Sequence, residues 1–340
     1  MGKVANSQVG VYLGYASRKG HSFLDARLFL PEQWFAETHT EKRQECGVPE
    51  ETRYQTKPEI ALDMLQAALE RGELPCKWVA ADELYGDSAA FRDGIADLGQ
   101  WYFVEVSCSS PIWIERPEVH LPAWKGRGRK PTRLRLRNPE QKSQRVDALA
   151  QQLPANAWVR ARIKEGTKGP LVCDFACLRI VEARKGLPGP ESWLIMRRNL
   201  DDPTEIKYYL SNAPADIDPL ELVRVSGMRW PIETCFENGK QEVGFGDYQL
   251  RSWVGWHHHM TLCTLAHFFL VRLQIRLKDE APKLTLPQAI LLLKAALAQP
   301  QPDAAKAIEI VNYYQRRHHA AYLSHRKRRL SQINSSEVSL

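Results

Sequence analysis

Residues 77–106 read KWVAADELYGDSAAFRDGIADLGQWYFVEV. KWVAAD is a short apolar run that ends on a carboxylate, the pattern of a buried strand stopping at Asp82. Tyr85 and Gly86 turn the chain, Ser88 to Leu98 has helical texture, and WYFVEV is a further strand. Upstream, QVGVYLGYA and FLDARLFLP read as strands joined by turn residues at Ser17 to Gly20, which predicts an antiparallel pair. Between the pair and KWVAAD, a helix is expected from about Pro58 to Arg71. Thr56 and Glu59 are spaced as a capping box at its start, and Ala61, Leu62, Leu65, Ala68 and Leu69 form its apolar face. The order strand, strand, helix, strand, helix, strand predicts a mixed α/β sheet that contains all four strands.

Downstream the texture changes. Pro111, Pro117, Pro122 and Pro131 interrupt any helix, and residues 125–137 form the basic run KGRGRKPTRLRLR. WVRARI, LVCDFACLRIV, WLIMRR and EIKYYLS then read as strands separated by Gly, Pro and Asp turns. Helical texture returns near Leu220 and runs to about His319, and HRKRRLSQINSSEVSL is expected to fray. The expected organisation is therefore residues 1–107 as the first part of an α/β core and 108–212 as a separate β-rich insertion. Residues 213–280 form the helical part of the core, and 281–340 form C-terminal helices with a basic tail.

The formal net charge of +7 and pI of about 9.0 favour polyanionic partners, although a merely basic protein has the same sum. Seven scattered cysteines, none in a C-x-x-C frame, fit reduced thiols. Cys173 and Cys177 would share a strand face, a weak metal signal. The longest apolar run, Leu262 to Val271, contains His267 and is too short for a bilayer. With no secretory signal at the start, a soluble cytoplasmic protein is expected.

Two places can carry chemistry. Asp82 ends a buried strand, where α/β sheets open their ligand crevice, and hard divalent cations take such oxygen donors. An Asp in a strand-ending turn can equally be structural. Glu83 beside it should point elsewhere, because side chains alternate along extended chain. The second place is VRVSGMRWPIETCFENGKQEVGFGDYQLR, residues 223–251. Arg229, Glu233 and Lys240 fall on one face of a continuous helix, a carboxylate between two cations. That face reads either as a metal and phosphate site or as solvated ion pairs. Pro231 disfavours helical geometry at Trp230, so the helix should start or kink there, with Glu233 in its first turn. Three consecutive histidines, His257 to His259, splay around a helix and cannot easily converge on one ion. Trp230, Trp253 and Trp256 are expected in the core.

RWPIETCFENGKQEVGFGDYQLRSWVGWHHHMTL (229–262) resembles the third-acid segment of bacterial insertion-sequence DDE transposases with a Tyr-Arg-Glu-Lys signature. GKVANSQVGVYLGY, ARLFLPEQW, GVPEETRYQTKPEIALDML and WVAADELYGD resemble the same group, so the likeness runs over most of residues 1–270. It implies an RNase H-like core interrupted by a β-rich insertion. It implies DNA transposition and recombination by metal-dependent phosphoryl transfer, with Mg2+ or Mn2+ as cofactor. Endonuclease-type cleavage would be followed by strand transfer, with double-stranded DNA as partner.

The resemblance matches Asp82 to the second acid, Glu233 to the third, and Arg229 and Lys240 to the signature cations. Ser226 stands at the signature's Tyr position. Arg251, Arg127, Arg129 and Arg133 are expected on DNA phosphates. The first acid lies, in the family, upstream of the segment resembling GKVANSQVGV, and no residue here matches it; Asp25 lies in a later strand. The expectation is an incomplete transposase copy whose metal is not productively held, acting as a homodimer or mixed with a full-length protein. The alternative is a non-catalytic DNA-binding remnant or regulator.

Overall fold

β1 (Val9–Ala16) turns through Ser17–Gly20, where the Ser17 amide donates to the Gly20 carbonyl at 2.8 Å, and returns as β2 (His21–Phe29). The two pair antiparallel from Val9↔Phe29 to Ala16↔His21, as expected. The chain is seen in a computed structural model that describes residues 7–72, 74–124, 126–166, 169–282, 284–297 and 303–337. Gly2–Asn6 of the first motif and Lys125 of the basic run lie outside the described residues.

After α1 (Thr40–Glu45), α2 (Lys57–Glu70) starts at the capping box read from the sequence. Glu59 Oε2 accepts from the Thr56 amide at 2.7 Å, and Thr56 Oγ1 accepts from the Glu59 amide at 3.4 Å. The helix buries Ile60 and Met64 against Val11, and Leu65 against the larger sheet. β3 (Trp78–Ala81), α3 (Glu83–Gly86), α4 (Ala89–Asp97) and β4 (Trp101–Val106) follow. β3 and β4 are parallel, with Trp78↔Trp101 and Ala81↔Val104 in register.

β5 (Pro111–Trp113), β6 (Val119–His120), β7 (Arg135–Leu136), β8 (Gln144–Arg145) and α5 (Val146–Gln152) precede four long strands. These are β9 (Val159–Gly166), β10 (Gly169–Arg184), β11 (Leu187–Arg198) and β12 (Ile206–Ser211). The sheet order is β3-β4-β12-β11-β10-β5-β8, with β9 also on β10. It is mixed, because β3–β4 is parallel and the other pairings are antiparallel. Both faces are covered: Leu194 and Met196 pack into one core, and Trp193 and Ile195 into the other.

Two expectations are corrected. The strands of 108–212 do not form a sheet apart, because β12 hydrogen-bonds directly to β4. The β1–β2 pair, expected to join β3 and β4, forms its own two-stranded sheet. β1 and β3 instead both line a cavity of about 430 Å3. α5 was not expected either, yet Val146, Leu149 and Ala150 give it a buried face at helical spacing.

α6 (Pro219–Ser226), α7 (Trp230–Glu242) and α8 (Trp253–Arg276) form the returning helical part. α7 and α8 cover the β1–β2 hairpin through Phe23, Cys235, Phe245, Trp256, Met260 and Cys263. By contacts the chain divides into Met1–Leu286 and Pro287–Leu340. α9 (Leu286–Ala296) begins at the division, and the second unit holds α10 (Ala304–Glu337). α10 overturns the expected frayed tail as far as Glu337: no Pro or Gly interrupts residues 304–337, and Ala, Arg, Lys, Gln and Leu favour helix. Among the described residues, no helix is long and apolar enough to cross a membrane.

Candidate active site

Asp82 leaves β3 in extended geometry (φ −80°, ψ −179°) and stands at the start of α3, where its exposed carboxylate makes no capping hydrogen bond. One step beyond Ala81↔Val104, the parallel register sets Asp82 level with Glu105 of β4. The intervening turn is pinned there because Gly86 lies directly on the Glu105 carbonyl, and a Cβ at that position would overlap it. Tyr85 packs beneath; burial, then the charge of Asp82, pushes its hydroxyl up to about 12.

The second wall comes from the α6–α7 turn. Pro231 sits in the first turn of α7, whose start at Trp230 is the one read from the sequence, and Glu233 follows in the same turn. Arg229 Nη1 pairs with Glu233 Oε1 at 2.8 Å, and Arg229 Nε lies 4.0 Å from Glu105 Oε2. Lys207 Nζ binds Glu105 Oε1 at 2.8 Å. Arg229 thus stands between carboxylates of two elements. It also lines the same cavity as Asp82. With Arg229 29% and Glu233 46% exposed, their pair contributes only about 0.3–0.5 kcal/mol, so a phosphate can displace it at little cost.

The remaining sequence candidates disperse. Lys240 is exposed further along α7, and Arg251 is exposed in the loop before α8. Ser226 is buried and donates to the Val223 carbonyl at 2.6 Å, so its hydroxyl is committed to its own helix. Arg127, Arg129 and Arg133 are exposed on the segment between β6 and β7, which form a small sheet of their own. His257 and His259 diverge, with ring nitrogens on the carbonyls of Trp253 and Gly244, while His258 is exposed. Trp256 is a core residue, but Trp230 is 49% exposed, which corrects its expected burial. Its place at the helix start turns it outward, under the ammonium of Lys164.

Glu105, Lys207 and Lys164 were not singled out in the sequence. Glu105 is the lone carboxylate in the apolar strand WYFVEV, and that pattern was the available signal. Lys164 and Lys207 reach the site from strands distant in sequence, where no local pattern marks them. Desolvation lowers Lys164 from the ordinary lysine range, partly offset by Glu233. Desolvation, then the charge of Lys164, lowers His21. Asp82 and Glu233 offer the oxygen donors that magnesium or manganese takes. Among the described residues, however, no group of three or more His, Cys, Asp or Glu is placed to hold a metal ion. The described donor set therefore does not fit a metal by itself.

The profile of a family described as DDE superfamily endonuclease matches residues 1–170. That span includes Asp82, Glu105 and Lys164 and stops before Arg229 and Glu233. No curated protein matches the chain.

Proposed function

The chain belongs to the DDE superfamily of endonucleases, and from that membership we infer that it handles DNA as a transposase of insertion-sequence type, with a site built on Asp82, Glu233 and Arg229. Endonucleases of this superfamily act on DNA and use divalent metal ions. The observation that carries the reading is Arg229, shared between Glu105 and Glu233 and opening on the cavity that Asp82 also lines. A guanidinium so placed can release Glu233 and take a phosphate in its stead. Lys240, Arg251, Arg127, Arg129 and Arg133 then serve as outlying phosphate contacts along the duplex.

The resemblance assigns family acids to Asp82 and Glu233 alone, and β1 and β3, each at a sheet edge, both line the cavity. These support the reading of an incomplete transposase that retains DNA without cutting it, alone as a homodimer or mixed with a complete relative. The chain's own residues bind and orient the phosphate and shield it beside the cavity. A non-catalytic regulator is the second reading, favoured by the ion pair that engages Glu233. Binding of a duplex DNA fragment across a salt series tests the proposal. Affinity falling steeply with salt is expected, and no binding at low salt would reject it.

A further inference from the structure

β9 carries cations at Arg160, Arg162 and Lys164. Arg160 is neutralised by Asp174 at 3.0 Å and Arg162 by Glu165 at 3.6 Å. Lys164 has no carboxylate in ion-pair contact among the described residues. The register explains where it goes instead. Arg162 opposes Val172 and Lys164 opposes Leu171, which leaves Ile163 as an extra residue in β9. Such a bulge breaks the alternation of side chains and bends the strand, and it commonly re-aims a side chain toward a site. Here both neighbours meet the α6–α7 turn. A Cβ on Gly227 would press on Ile163 Cγ2, and Lys164 Cδ lies 3.8 Å from the same point. Strict alternation would have sent Lys164 to the face opposite Ile163. The ammonium comes to rest 5.3 Å over the Trp230 ring, at the first residue of α7. Glu233 and His21 are the titratable groups that feel its charge.

We propose that Lys164 is a phosphate-holding residue of the active site, aimed by the β9 bulge, so that one DNA phosphate beside Glu233 is gripped from two elements, by Arg229 of the α6–α7 turn and by Lys164 of β9. The inference rests on the DNA-handling reading and adds to it a cation supplied from outside the acid-bearing helices. Glu233 already has Arg229, and Glu105 has Lys207, which leaves the half-buried Lys164 available to meet an incoming anion at the head of α7. The Trp230 ring restricts the directions in which the ammonium can turn and keeps it at the head of α7.

The test uses the full chain with Lys164→Met, which keeps the stem against Gly227 and Trp230, and Lys164→Arg, which keeps the charge. Affinity for a duplex DNA fragment is measured across a salt series, with thermal melting as the fold control. Lys164→Met is expected to weaken binding several-fold and to lower the slope of log affinity against log salt by about 0.9, the loss of one phosphate contact. Lys164→Arg should keep both. Wild-type slope in Lys164→Met, with or without weaker binding, would overturn the proposal. A second measurement needs no variant: duplex DNA should protect Lys164 of the wild-type chain from an amine-acylating reagent, read by peptide mass spectrometry. Unprotected Lys164 in a DNA-bound chain would overturn it as well. A wild-type chain that binds no DNA would instead remove the functional reading, and this inference with it.

Discussion

Glu182 shows what a single buried charge does in this fold. Its Oε2 takes Arg92 at 2.8 Å and Arg184, and its Oε1 takes Tyr102 at 2.9 Å and Ser192 at 2.8 Å, joining β10 to α4, β4 and β11. Arg92 is 7% and Glu182 2% exposed. Glu182→Ala would strand the guanidinium and is expected to cost about 3–5 kcal/mol in urea unfolding. Burial pushes the Glu182 carboxyl up, but Arg92, then Arg184 and Ser192, hold it below the ordinary glutamate range. A depressed folded value gives stability that is present above the unfolded pKa and lost as pH falls through the folded one. The wild-type advantage over Glu182→Gln should therefore shrink in acid. Arg229 is the opposite case. Arg229→Ala should change unfolding free energy by less than about 1 kcal/mol, because its pairs are partly exposed. It should nonetheless weaken DNA binding. At this scale the sequence placed Asp82 at a strand end and Arg229 and Glu233 one helical turn apart, and the structure has them there. Glu105 and Lys164 stayed hidden, because one depends on the partner strand's register and the other on a bulge.

Elements were legible where local chemistry decides them. The Thr56–Glu59 box fixed the start of α2, and Thr56→Ala should cost about 1 kcal/mol in urea unfolding. Pro231 fixed the start of α7, and the Ser17–Gly20 turn joined β1 to β2. The short α5 was missed because three apolar residues give too little periodicity to stand out among prolines and strands. The β6–β7 segment is an element whose energetics lie in its partners. Its strands are two residues each, and its arginines are exposed. Neutralising Arg127, Arg129 and Arg133 together should lower DNA affinity and flatten its salt dependence. An unchanged slope would remove the segment from the interface.

For the whole molecule, sheet membership was the part that could not be read from the chain. The strand order predicted one mixed sheet over β1 to β4, but partners are chosen across long sequence distances, and β4 pairs with β12 while β1 and β2 stand apart. The cavity is lined by residues of the edge strands β1 and β3 and by apolar residues of α2 and α7, including Leu65, Ile232 and Phe236. Edges of this kind invite pairing with another chain. The most direct measurement is strand scission of duplex DNA by residues 1–340 with magnesium or manganese, with DNA retention followed in the same samples. The proposed function predicts salt-sensitive retention without scission; metal-dependent scission abolished by Asp82→Asn and by Glu105→Gln would contradict it, because Glu105 would then be serving as a further carboxylate.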